Sequence, residues 1–126
     1  MLVRSTKSLK GTDDEVKDGG FTSRRLILAA DGMEYSVHDT EIAPEQALHM
    51  WYKHHLETVL ITEGSGEIED LGTGKTHELK PGVMYALNEH DKHILRSGKD
   101  GLRMTCVFHP ALVAPDTHQE AGSYPL

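Results

Sequence analysis

Four polar side chains, Glu57, Tyr85, His93 and Cys106, stand in rows of apolar neighbours, and the first three are of types that hold a divalent cation. Side chains alternate faces along a strand, so residues two apart reveal which way a polar group points. Glu57 is in line with Val59 and Ile61, Tyr85 lies between Val83 and Leu87, and His93 shares its side with Leu95. Cys106 falls in the row Leu102, Met104, Phe108. An acid, a phenol and an imidazole turned toward a core need compensation, because a buried carboxylate without a partner costs roughly several kcal/mol or takes up a proton. A shared divalent cation would supply it. Taken singly, each residue has a plainer reading: an inward His is an ordinary hydrogen-bonded core residue, an inward Tyr packs its ring, Glu57 reaches solvent at a strand end, and Cys106 is a small hydrophobe.

The elements that must carry these residues are short strands. Turn signals recur at Asp31-Gly32, Gly64-Ser65-Gly66, Gly72-Thr73-Gly74, Pro81-Gly82, Asn88-Glu89-His90-Asp91 and Gly98-Lys99-Asp100-Gly101. Between them run Leu26–Ala30, Glu34–Thr40, Thr58–Thr62, Glu67–Leu71, Val83–Leu87, Lys92–Arg96 and Leu102–Phe108, rich in β-branched residues. This spacing predicts an all-β sandwich or barrel. Residues 11–20 read as a loop or short helical turn and 109–126 as an irregular tail. With 126 residues the chain is expected to form one domain.

Composition narrows the partners. A net charge of −7 and the absence of any Lys/Arg run argue against nucleic acid. The first residues lack the apolar stretch of a secretory signal and no segment approaches membrane-spanning length, which points to the cytoplasm. Cys106 is the single cysteine, so no intrachain disulfide can form, in keeping with a reducing compartment. Nine histidines beside two phenylalanines and one tryptophan hint at metal or proton chemistry.

Glu57 with Gly64 seven positions on, followed by Pro81-Gly82-Val83-Met84-Tyr85, resembles the two barrel motifs of cupins, although the His-x-His pair usual before the Glu is missing. The stretches Trp51-Tyr52-Lys53-His54-His55-Leu56-Glu57 and Pro81 through His93 resemble the ectoine synthase family. So do Met1-Leu2-Val3-Arg4, Ser23-Arg24-Arg25-Leu26, Asp31-Gly32-Met33, His38-Asp39-Thr40, Gly66 through Leu71, Cys106-Val107-Phe108 and Tyr124-Pro125, nearly end to end. The resemblance implies a cupin-type β-barrel (a double-stranded β-helix or jelly roll) with minor helical turns, usually a homodimer. It implies an iron-dependent hydro-lyase that closes N-γ-acetyl-L-2,4-diaminobutyrate to the cyclic amidine ectoine with loss of water.

By the same resemblance Glu57, Tyr85 and His93 fall on metal-ligand positions. Two oxygen donors and one imidazole suit Fe(II), with Zn(II) as runner-up. Tyr52 and His55 are candidates for acid and base, with Tyr85 bound as phenolate. Phe21, Arg25, Thr40, Cys106, Phe108, Asp116 and His118 are the substrate-binding candidates, Arg25 being suited to a carboxylate and the tail at 109–126 to a lid. Departures from the family pattern occur at Phe21 (usually Trp), Pro44–Leu48, Leu60 (usually Tyr), His109-Pro110-Ala111 and Asp116 (usually Glu), and they are expected to gather around the substrate. Three alternatives stay open: a related cyclase for another acetylated diamino acid, a cupin oxygenase or isomerase, and a non-catalytic cupin that binds a small ligand.

Overall fold

The computed structural model describes residues 1–113 and Tyr124. A four-residue helix, α1 (Thr6–Leu9), is capped by Ser5, whose hydroxyl accepts from the Ser8 amide. The strands follow as β1 (Glu15–Asp18), β2 (Phe21–Ile27), β3 (Ser36–Ile42), β4 (Ala47–Met50), β5 (Leu56–Asp70), β6 (Thr76–Leu79), β7 (Met84–Leu87) and β8 (His93–His109), with a 3₁₀ turn at Ala29–Asp31. All pairings are antiparallel, so the apolar alternation seen in the sequence has one core to face.

Two long strands organise everything else. The first half of β5 pairs with β7 and with the end of β8, and β3, β2 and β1 continue that sheet. Its second half pairs with β6 and with the start of β8, on which β4 is laid. Register shifts between Ile61 and Glu63 and between Gly64 and Gly66 mark the passage from one half to the other. The glycines there permit it: Gly64 has φ +87, and a Cβ on it would collide with the Gly101 carbonyl of β8.

Several sequence expectations are corrected by this arrangement. Gly64-Ser65-Gly66 and Gly98–Gly101 are bends inside continuous strands rather than turns between short ones, because close approach of the two backbones, not chain reversal, is what demands glycine there. Leu26–Ala30 is split between the end of β2 and the 3₁₀ turn, and Glu34–Thr40 begins two residues late, since Glu34 takes a positive φ of 65 before β3 starts. Part of 11–20 forms β1, paired with β2 through Glu15↔Arg24 and Asp18↔Phe21.

The inner faces meet in a core that includes Val59, Ile61, Leu79, Leu95, Met104 and Phe108. Burial along β5 alternates strictly from Leu56 to Ile61, placing Glu57, Val59 and Ile61 inside and Leu56, Thr58 and Leu60 outside. Leu60, the position of a family tyrosine, is 45% exposed, so this departure lies on the outer surface and not around the substrate.

Candidate active site

Cross-strand registry assembles the site. Val59 of β5 is opposite Tyr85 of β7 and Cys106 of β8, Cys106 is opposite His38 of β3, and His38 is opposite Arg25 of β2. One step along β5, Glu57 stands between Leu87 and Phe108. Because opposite residues share a face, the inward turn of Glu57 and Val59 turns the row inward with them. Glu57, Tyr85, Cys106, Phe108, Thr40 and Phe21 accordingly line one cavity of about 30 Å³, together with Tyr52.

A second cavity, of about 180 Å³, also has Tyr85 in its wall, and there the neighbours are His93, Asp70, His77 and Asp91. Tyr85 is thus the common wall between Glu57 on one side and His93 on the other. Tyr52 bridges the same gap: its ring lies 5.8 Å from that of His93 and 5.0 Å, edge-on, from that of Phe108.

Burial dominates the electrostatics of the site, with the Arg25 guanidinium opposing it at Cys106 and Tyr124. Burial pushes the Glu57 carboxyl up to about 8, partly pulled back by the Cys106 thiol beside it. Burial, with Glu57 adding to it, also lifts the phenols of Tyr52 and Tyr85 and the Cys106 thiol well above their ordinary values. His93 is driven toward its neutral form by burial. Its Nδ1 lies 2.9 Å from the backbone oxygen of Asp91, which fixes the proton there and leaves the lone pair on Nε2. That Nε2 is buried and has no hydrogen-bond partner.

These observations test whether a metal fits. Among the described residues no group of three or more His, Cys, Asp and Glu side chains is placed to hold an ion, so a centre here must recruit another donor type. Tyr85 offers such a donor type: it walls both cavities, with the buried Glu57 carboxyl in one and His93, whose Nε2 has no hydrogen-bond partner, in the other. The donor set fits a divalent ion.

The remaining candidates are distributed as follows. Arg25 is 2% exposed; its Nε donates to the Ser23 hydroxyl at 3.0 Å, and Nη2 lies 3.4 Å from the Tyr124 hydroxyl. Thr40 shares hydrogen bonds with Ser23 and, at 3.7 Å, with the Cys106 thiol. His55 is buried edge-on to Phe108 and Tyr124, at 6.1 and 6.4 Å, and is not among the residues lining either cavity; burial lowers its pKa. Asp116 and His118 lie outside the described residues. Tyr124 and His38 are among the wall residues that the sequence reading did not assign to the site. Tyr124 stacks on Tyr52 at 5.5 Å with the rings 6° from parallel, yet in sequence it is a lone aromatic in an irregular tail. His38 lines the cavity 5.1 Å from Phe108, and its alternation with Ser36 and Thr40 was the available signal.

A two-part antiparallel barrel with its acid, phenol and imidazole held inside belongs to the cupin class of folds. The chain superposes on a Cupin_2 domain of a transcriptional regulator from Enterobacter cloacae with a TM-score of 0.61 at 14% identity, over 72% of this chain and 97% of that one, a likeness of fold alone. The ectoine synthase family model matches residues 1–126. The L-ectoine synthase of Desulfosudis oleivorans is 49% identical over 126 residues, 100% of this chain and 98% of the relative, and that of Halalkalibacterium halodurans 48% over 126 residues, 100% and 97%. A solved ectoine synthase from P. lautus matches with a TM-score of 0.90 at 44% identity, covering 100% of this chain and 90% of that one. The chain belongs to the ectoine synthase family, and so to the hydro-lyases of ectoine biosynthesis.

Proposed function

We propose that this chain closes N-γ-acetyl-L-2,4-diaminobutyrate to ectoine with loss of water, with Fe(II), or Zn(II) as second choice, held by Glu57, Tyr85 and His93. The observation that carries the metal assignment is the bare, buried Nε2 of His93, its other nitrogen tied to the backbone, across Tyr85 from an uncompensated Glu57. When bound, the ion supplies Lewis acidity toward the amide oxygen.

The chain's own residues do the rest. Ring closure is an intramolecular attack of the α-nitrogen on the amide carbon, so catalysis depends on holding an extended chain folded. The Arg25 guanidinium, braced by Ser23, receives the α-carboxylate. Phe21, Phe108 and Cys106 form the apolar wall that keeps water from the amidine, and Thr40 gives that wall a hydroxyl. Tyr52, kept protonated by burial, is the group positioned to donate a proton to the departing oxygen. His55, neutral and one ring removed from the cavity, accepts protons through its neighbours rather than from substrate directly. Two wall residues of this cavity, Tyr52 and Tyr124, lie outside the strands and stack on one another.

Cytoplasmic location fits a free, buried Cys106. Among the described residues no helix is long and apolar enough to cross a membrane. A homodimer fits the apolar outer strip in which exposed Leu60 pairs with exposed Met84 beside Leu56.

The test is direct. Iron-loaded protein is mixed with the acetylated diamino acid and ectoine is followed by chromatography, while Glu57→Ala, Tyr85→Ala and His93→Ala are assayed for bound iron. Full metal content in all three variants would refute the site. A second reading rests on Phe21 and Leu48, both departures from the family pattern and both in the cavity wall: a cyclase for a related acetylated diamino acid. Turnover of that homologue, but not of the four-carbon substrate, would select it, and binding without turnover of either would select the non-catalytic alternative.

A further inference from the structure

The turn between β7 and β8 does more than connect them. His90 within it has a φ of 54, in the left-handed region that few residues other than glycine occupy and that histidine, like asparagine and aspartate, enters more readily than most. Its Nδ1 lies 2.8 Å from the backbone oxygen of Tyr52, thirty-eight residues earlier in the chain, and so donates to it. The residue after it, Asp91, presents the carbonyl that fixes the tautomer of His93. On the outside the same two segments touch again, where Lys92 Nζ sits 4.2 Å above the Trp51 ring. The irregular connection 51–55, which has no ladder bonds of its own to place it, is thereby fastened to the turn that orients His93.

We propose that His90 is a positioning residue, its imidazole tying the connection that carries Tyr52 to the turn that carries His93. The turn's left-handed residue brings the ring to the Tyr52 carbonyl, and the hydrogen bond it makes there holds the two segments together. Removing the bond lets the Tyr52 phenol drift relative to His93, from which its ring is held at 5.8 Å. The inference rests on the reading of Tyr52 as proton donor, and its test separates the two.

Two variants isolate the bond. His90→Gly accepts the positive φ and deletes the imidazole. His90→Asn also tolerates that φ and places an amide N–H as many bonds from Cα as the imidazole Nδ1, so it can donate to the same carbonyl. The glycine variant is expected to lose roughly tenfold in kcat, as one net hydrogen bond warrants, with KM within about twofold and metal content unchanged; the asparagine variant is expected to recover to within about threefold of the native protein. Trypsin cleavage after the exposed Lys53 reports the same fastening without any substrate, and should accelerate roughly tenfold in the glycine variant and not in the asparagine one. Unchanged kcat and unchanged cleavage in His90→Gly would overturn the proposal, as would an asparagine variant as impaired as the glycine one. If the native protein shows no turnover, the reading of its function fails while the cleavage rates still decide the role of His90. Should His90→Gly not fold, His90→Asp, with the shape of asparagine but no donor, takes its place.

Discussion

Replacing Glu57 by glutamine should remove a pH dependence that the metal-free protein carries in its stability. The folded carboxyl is pushed up to about 8 against an ordinary value of 4.5, because it is buried. A raised value means that the folded state holds its proton more tightly than the unfolded chain does. This contribution is therefore fully present below about 4.5 and is lost as pH rises through about 8. His93 and His55 act in the opposite sense: their lowered values make folding resist protonation, so they remove stability as pH falls below their ordinary 6.5. Just above that value the half-protonated histidines of the unfolded chain still offset the carboxyl, which dominates from about pH 7 upward. One proton lost on unfolding is about 1.4 kcal/mol per pH unit, so between about 6.5 and about 8, with the two histidines subtracting from the carboxyl, the metal-free protein should lose on the order of 1 kcal/mol. Urea denaturation after chelation, followed by tryptophan fluorescence at several pH values, measures it. Glu57→Gln should flatten the slope and be the more stable protein at pH 8. Adding Fe(II) to the native protein should abolish the loss, because the cation binds the ionised carboxylate. A native midpoint that stays level or rises across this window without metal would refute the picture of an uncompensated acid.

Phe108→Ala removes a ring that is 2% exposed and makes edge contacts with Tyr52 and Tyr124, and should cost roughly 3 to 5 kcal/mol by denaturation, with activity lost in step. Asp39 receives Arg24 at 3.0 Å and Arg103 at 3.0 Å on the outer side of the sheet; Asp39→Asn removes the charge they share while Arg24 keeps Glu15 and Glu41, and should lower stability by roughly 1 to 2 kcal/mol without altering KM in the fraction that folds. Arg25→Lys keeps the charge but loses the planar fork, and should raise KM at least tenfold while metal content stays unchanged. For the proposed homodimer, native protein should sediment as a dimer and Leu60→Glu, on the exposed strip, as a monomer with little change in folding stability; equal sedimentation of the two would exclude that strip as the contact.

The inward direction of Glu57, Tyr85 and Cys106 could be read from alternation because each sits in a strand stretch with apolar neighbours two apart, and β5 keeps that period without a slip from Leu56 to Ile61. The long strands could not be read in the same way. A glycine that marks a turn and a glycine that lets two strands cross closely look alike in sequence, and only the opposing Gly101 backbone shows which Gly64 is. Leu60 illustrates a further limit: comparison with a family pattern flags a difference, and the strand's face decides whether that difference touches the site.

The order of residues determined an all-β chain, the inward direction of Glu57, Tyr85 and His93, and the family, since these follow from local periodicity and from motifs that are contiguous in the chain. What tertiary structure alone decided is which of them meet. Tyr85 stands between Glu57 and His93, Tyr124 returns from the far end to stack on Tyr52, and His90 reaches across to its carbonyl. Such meetings depend on strand register and on chain reversal over tens of residues, and no local pattern carries that information.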